Sequence, residues 1–168
     1  VKEIIAAIRY AFPDIVIVVG GEHPTSAADM VLKDGKVDFV IMGEGEETFV
    51  EILDNISKGK KCFDLNGIAY LSNTENLVVN EKRIRIRAID SFPFPDWDQW
   101  SIREYINYEQ VTGVNLGRAI PILGSRGCPY ECTFCSNKDM WTKRYIMRDG
   151  KQIVGEMRYM RDKYNVSV

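Results

Sequence analysis

Apolar residues fall into two alternating rhythms along the first third of the chain, one helical and one continuous. Ile4, Ile5, Ile8 and Phe12 recur at helical spacing, which places them on one helix face, and Pro13 ends the run. Ile15 to Val19 is an unbroken β-branched run closed by Gly20-Gly21, the pattern of a strand buried on both faces of a parallel sheet. Thr25 or Ser26 is suited to cap a second helix running to Lys33, and Asp34-Gly35 breaks the chain before a second strand, Phe39 to Met42. Gly43-Glu44-Gly45 closes that strand, and Phe49, Ile52, Leu53 and Ile56 line a third helix ended by Gly59. This alternation with short connections predicts an α/β fold: a Rossmann-like parallel sheet covered by helices, with its ligand crevice at the carboxyl ends of the strands. Both glycine turns fall there.

The rhythm then changes. Gly67 to Leu71, Leu77 to Val79 and Arg83 to Arg87 read as short strands of a small antiparallel appendage. Arg83, Arg85 and Arg87 alternate along the last of these, and the expectation is a solvated edge face, because charge discourages edge pairing. Ser91-Phe92-Pro93-Phe94-Pro95 is stiff, extended chain of the kind that connects domains. Beyond it, Ala119 to Leu123 reads as a strand in which Pro121 suits an edge or a strand start. Ile153, Met157, Met160 and Tyr164 form a final helix stripe, and Val166 to Val168 read as the beginning of another strand. The expected organisation is an α/β part over 1–75, a connector over 76–117 and the start of a second α/β unit over 118–168.

Composition narrows the functional classes. The chain has 168 residues, 45% apolar and 27% charged, enough for an ordinary globular core. A net charge of -2 leaves no basic footprint for nucleic acid. The longest apolar runs fall far short of the about 20 residues that span a bilayer, so no membrane helix is expected. The chain opens Val1-Lys2-Glu3 straight into a helical pattern, as expected of a piece cut from a longer protein. Of the 4 cysteines, Cys128, Cys132 and Cys135 cluster in one short stretch. That suits metal capture in a reducing, cytoplasmic compartment better than a disulfide framework.

The stretch Gly127-Cys128-Pro129-Tyr130-Glu131-Cys132-Thr133-Phe134-Cys135 lets one loop wrap one inorganic cluster. Thiolates are soft ligands for iron–sulfur clusters or zinc, but a closed structural zinc site takes four protein donors, and only Cys128, Cys132 and Cys135 are local. On a four-iron cluster, three ligands leave one iron open to a substrate. Phe134, between two of the cysteines, is placed either to shield a cluster from water or simply to pack locally.

Here the chain resembles the radical S-adenosylmethionine enzymes, whose CxxxCxxC motif is written Cys128 to Cys135 after Ser125-Arg126-Gly127, with an aromatic before the last cysteine. The resemblance implies that Cys128, Cys132 and Cys135 hold a 4Fe-4S cluster whose unique iron binds S-adenosylmethionine. Reductive cleavage of that cofactor then releases a 5′-deoxyadenosyl radical. It also implies that Ala119 to Leu123 is the first strand of a partial β/α barrel, with Asn137 to Val168, including Met140-Trp141, as its next element.

Gly20-Gly21-Glu22-His23-Pro24-Thr25 and Gly43-Glu44-Gly45-Glu46-Glu47-Thr48 are similar to two loops of the cobalamin-binding half found in one branch of that family. Glycines let backbone approach a bulky ligand, and helix amino termini offer unpaired N–H groups. The resemblance implies cobalamin contacts from Gly20, Gly21, His23, Thr25, Gly43, Glu44, Gly45 and Thr48. Single histidines beside proline serve mainly as turn residues or hydrogen-bond partners, so His23 is expected near the corrin but not as its cobalt ligand. Glu46 and Glu47 read as helix-start complements.

The expected function is radical chemistry on an unactivated small-molecule substrate, either methyl transfer from methylcobalamin or a cyclisation or rearrangement. The electron donor is expected to be a flavodoxin or ferredoxin, and the piece alone is expected to be inactive. Two alternatives stay open. One is a non-catalytic zinc-binding module in which Cys62 or His23 supplies a fourth ligand. The other is a methylthiotransferase-type radical enzyme without cobalamin, although that class carries extra cysteines where this chain has only Cys62.

Overall fold

The computed structural model describes residues 1–34, 36–108, 110–111, 114–115 and 117–167. In chain order its elements are α1 (Lys2–Ala11), β1 (Val18–Val19), α2 (Glu22–Ser26), α3 (Ala28–Lys33), β2 (Phe39–Ile41), α4 (Glu46–Ser57), β3 (Ile68–Leu71), β4 (Leu77–Val79), α5 (Ile102–Asn107), β5 (Gln110–Val111), β6 (Val114–Asn115), β7 (Ser125–Arg126), α6 (Asn137–Met140), β8 (Ile146–Met147) and α7 (Gly150–Tyr164). They belong to two compact units, Val1–Ile86 with Gly127–Arg144, and Arg87–Arg126 with Tyr145–Val168.

The first unit is built on a sheet ordered β1-β2-β3-β4. β1 and β2 are parallel, with Val18 opposite Phe39. β3 runs antiparallel to β2, and β4 antiparallel to β3. The hairpin expected as an appendage is therefore part of the main sheet. Burial explains why: Ile68 and Ala69 are as enclosed as Val40, so β3 is an interior strand. Side chains alternate across the sheet. Phe39, Ile41 and Ile68 pack on one face with Ile52 of α4, and Val40 and Ala69 pack on the other with Ala28 and Leu32 of α3. Helices thus cover both faces, as the continuous apolar strands required.

Local polar contacts fix the ends of these elements. The Arg9 guanidinium near the end of α1 donates to the carbonyls of Pro13 and Ile15 at 2.7 Å each and pairs with Asp38 at 2.6 Å. Asp38 also accepts from the Ile17 amide at 2.7 Å, which sets the chain into β1. The helix expected after a Thr25 or Ser26 cap is α3, which ends at Lys33 as expected but is capped by Ala27 (φ -131°, ψ 36°), and a further short helix, α2, precedes it. Thr25 is not a cap: its hydroxyl turns inward to accept from the Gly43 amide at 3.1 Å. Residues 81–86 form no strand, because Arg83 and Arg85 fold inward to acidic partners.

The second unit has a core of Ile102, Ile106, Ile120, Met160, Tyr164 and Val166. α7 is capped by Asp149, whose carboxylate accepts from the Lys151 amide at 2.7 Å, and it ends at Asn165 in the left-handed region with φ 54°. Of the expected helix stripe, Met160 and Tyr164 are buried, while Met157 is exposed. Glu156 is also buried, as the partner of Arg148. Ala119 to Leu123 is in no strand ladder, in keeping with Pro121, which has no amide to donate. The carbonyl of its neighbour Arg118 accepts from the Ser167 amide at 2.8 Å, which brings the segment after α7 alongside. Val166 and Ser167 are likewise in no strand, and Val168 lies outside the described residues. β7 pairs antiparallel with β8.

Candidate functional site

The two glycine turns follow β1 and β2 at the same end of the sheet. Gly21 and Gly43 take positive φ, 101° and 77°, backbone that glycine adopts without penalty. Thr25 holds the turns together, being buried beneath them and bonded to the Gly43 amide. Thr48 is 0% exposed and accepts from the Arg83 Nε at 3.0 Å. The Glu44 carboxylate lies 3.6 Å from the Arg85 Nε and accepts from the Ile86 amide at 3.2 Å. Of the expected cofactor residues, Thr25, Glu44 and Thr48 thus make internal bonds that shape the turns. His23 is exposed on α2, and Gly45 precedes α4 as its amino-terminal cap residue.

Arg83 and Arg85 depart from the solvated edge that the alternation suggests, while Arg87 is exposed as expected. Arg83 pairs with Glu51 and lies 3.5 Å from Glu47, so one turn of α4 supplies both acidic partners. The signal for this is the i, i+4 spacing of Glu47 and Glu51, opposite a chain bearing arginines.

The cysteine segment belongs to the same unit as the glycine turns. α6 packs against α2: the Ser136 hydroxyl donates to Glu22 at 2.9 Å, and the Ser26 hydroxyl donates to Asp139 at 3.3 Å. Thr25 donates to the Met140 sulfur at 3.7 Å. A Cβ at Gly43 would lie 3.3 Å from the Met140 carbonyl, so the absence of a side chain there permits the approach. A small cavity of about 60 Å³ lies between Thr25, Gly43, Glu44, Arg85, Met140 and Trp141.

Cys128 and Cys135 are half-buried, Cys132 is exposed, and none is in a disulfide. The Cys135 amide donates to the Cys132 carbonyl at 3.1 Å, and the Asn137 side-chain amide donates to the Cys128 carbonyl at 3.2 Å. Among the described residues, no three His, Cys, Asp or Glu side chains are gathered as a finished metal site. Phe134 is 91% exposed, so it neither packs locally nor covers a neighbour.

The donor set still suits an iron–sulfur cluster. Three reduced, solvent-reachable thiols lie on one loop, and soft sulfur donors are what such clusters take. Cys62 is no fourth ligand: it is 4% exposed in the core with Phe39, Ile41, Ile52 and Ile68, and burial pushes its thiol pKa up. The glycine turns suit a large ligand through their open backbone, while Thr25, Thr48 and Glu44 brace them from below.

Comparison with known proteins agrees with this chemistry. Residues 1–53 match the family described as the B12 binding domain. The chain is 31% identical over 155 residues to an uncharacterised methyltransferase of Pyrococcus horikoshii, covering 91% of the chain and 32% of the relative. It is 34% identical over 158 residues to the anaerobic magnesium-protoporphyrin IX monomethyl ester cyclase of Rubrivivax gelatinosus, covering 92% of the chain and 27% of the relative. Its fold matches the radical S-adenosylmethionine methyltransferase TsrM from Kitasatospora setae, solved with cobalamin and a [4Fe-4S] cluster bound. That match has a TM-score of 0.67 at 22% identity and covers 96% of the chain and 31% of TsrM. The chain thus spans a third or less of the length of these proteins. Among the described residues, no helix is long and apolar enough to cross a membrane.

Proposed function

We propose that the chain is part of a cobalamin-dependent radical S-adenosylmethionine enzyme, in which Cys128, Cys132 and Cys135 hold a 4Fe-4S cluster beside a cobalamin seated on the glycine turns. The observation that carries this reading is the direct bonding of the cysteine segment to those turns, through Ser136 with Glu22 and Thr25 with Met140. When bound, these cofactors supply one-electron cleavage of S-adenosylmethionine and a methyl group, or a route to cyclisation, for a carbon that lacks an activating group. In this reading residues 1–75 are the later part of a cobalamin-binding domain and 118–168 the start of the radical barrel.

The chain's own residues hold and orient. Cys128, Cys132 and Cys135 would hold the cluster as thiolates, three donors for a four-iron group that would also take S-adenosylmethionine. Gly20, Gly21, Gly43 and Gly45 let backbone approach the corrin, and Thr25, Glu44 and Thr48 keep the turns in shape. His23 would border the ligand, and Phe134, exposed between Cys132 and Cys135, would lie beside a bound cluster. A flavodoxin or ferredoxin delivers the electron, the substrate is a small molecule, and the enzyme works in the cytoplasm.

The match to a B12 binding domain favours this over a radical enzyme without cobalamin, and the burial of Cys62 disfavours a structural zinc module closed by that residue. Anaerobic reconstitution of the intact protein with iron, sulfide and hydroxocobalamin is the test. Bound iron and sulfide in equal amounts, together with corrin that survives gel filtration, is the expected result. One tight zinc with no iron contradicts the cluster, and corrin that washes away contradicts the cobalamin site.

A further inference from the structure

The cysteine segment begins at Gly127 and ends at Arg144, and one side chain touches both ends. Gly127 has φ 88°, and a Cβ built there would collide with the Arg144 carbonyl and lie 2.7 Å from the Arg85 Nη1 and 3.0 Å from the Nη2. The Arg144 carbonyl and the Arg85 guanidinium together fill the space that a side chain at 127 would take. The same group donates to the Arg144 carbonyl and, at 3.2 Å, to the Thr142 hydroxyl, and it lies 5.7 Å from the centre of the Trp141 ring. On its other side is Glu44, whose side chain is 7% exposed and whose carboxylate also accepts from the Ile86 amide at 3.2 Å. Glu44 thus holds Arg85, and Arg85 holds the two ends of the segment on which the cysteines sit.

We propose that Arg85 is a positioning residue for the iron–sulfur site, clamping the base of the cysteine segment so that Cys128, Cys132 and Cys135 are presented together to the metal. The proposal rests on the reading of those cysteines as cluster ligands. A planar guanidinium suits this role, because its spread nitrogens face Glu44 on one side and serve the Arg144 carbonyl and the Thr142 hydroxyl on the other while the group lies over an indole, whereas a lysine ammonium offers a single nitrogen. Groups one shell removed from a metal commonly change its retention by about 10–100-fold when replaced.

The test uses the intact, anaerobically reconstituted protein as wild type, Arg85→Met, Arg85→Lys and Glu44→Gln. Three readouts are compared: the rate of iron loss to a chelator, the electron paramagnetic resonance spectrum of the reduced cluster with and without S-adenosylmethionine, and thermal unfolding. Arg85→Met is expected to lose iron at least about tenfold faster than wild type and to show an altered spectrum, with Arg85→Lys only partly restored. Glu44→Gln keeps an acceptor for the Ile86 amide but drops the charge that holds Arg85. It is expected to shift iron loss in the same direction by a smaller factor, and it decides the matter if Arg85→Met does not fold. Wild-type iron retention and spectrum in the folded variants overturn the clamp while leaving the cysteine assignment standing. A wild-type protein that binds no iron overturns that assignment and the clamp with it.

Discussion

The glycine turns and the cysteine segment lie in one compact unit, yet different forces hold them. The turns end β1 and β2, whose side chains are locked between α3 and α4, and Thr25 and Thr48 brace them from inside. Among the described residues, no residue of the cysteine segment belongs to a buried apolar cluster. The segment is held by polar bonds from Ser136, Ser26 and Asn137 and by Arg85 at its base, with Cys132 and Phe134 facing solvent. A turn set by packing is formed before any ligand arrives. A loop set by a few polar bonds would complete its order only with the proposed metal, because ligand binding and local folding are then coupled.

Four changes press on that difference, beginning with the largest effect. Ile52→Ala empties a fully buried site under the turns and is expected to cost about 2–5 kcal/mol in denaturant unfolding. The native-state alkylation rates of Cys128, Cys132 and Cys135 should not move with it; rates that rose in step would mean that both regions rest on one core. Thr48→Val removes the acceptor for the Arg83 Nε and should cost about 1–3 kcal/mol, again in the unit's unfolding alone.

Cys62 gives a smaller effect with a definite pH sign. Burial raises its pKa above the ordinary 9.0, so folding favours the neutral thiol. The contribution is intact at pH below that ordinary value and falls away as pH rises through the folded one. Stability that declines from about pH 9 in wild type, and less so in Cys62→Ala, is the expected pattern. Alkylation of Cys62 only on unfolding, with the other three cysteines labelled in the native metal-free protein, checks the same burial. Phe134→Ala is the smallest change, within about 0.5 kcal/mol in the metal-free protein. Only after reconstitution should it matter, as faster cluster loss in air.

The same contrast explains what the sequence disclosed. Strands such as Phe39 to Ile41 were legible because burial on both faces leaves a continuous apolar run, and α1 and α4 because their stripes keep helical period. The inward role of Thr25 in α2 was not legible, since its bond with Gly43 is a long-range contact that no local pattern carries. β3 and β4 were placed as strands but not as continuations of the main sheet, because pairing partners depend on tertiary packing. The cysteines stood out through their spacing. Arg85 did not, for its role comes from Gly127 and Arg144, far along the chain, and alternation with Arg83 and Arg87 suggested a charged edge instead.

The proposed arrangement, three sulfur donors that leave one iron of a cluster free for S-adenosylmethionine, makes a prediction that one spectrum can test. The direct measurement is electron–nuclear double resonance on the reduced, oxygen-protected protein supplied with S-adenosylmethionine labelled in its amino nitrogen and carboxylate oxygens. Hyperfine coupling from both labels, lost when any of Cys128, Cys132 or Cys135 is replaced by alanine, is the predicted result. A cluster whose spectrum ignores the labelled cofactor and whose fourth iron is held by a protein side chain would contradict it.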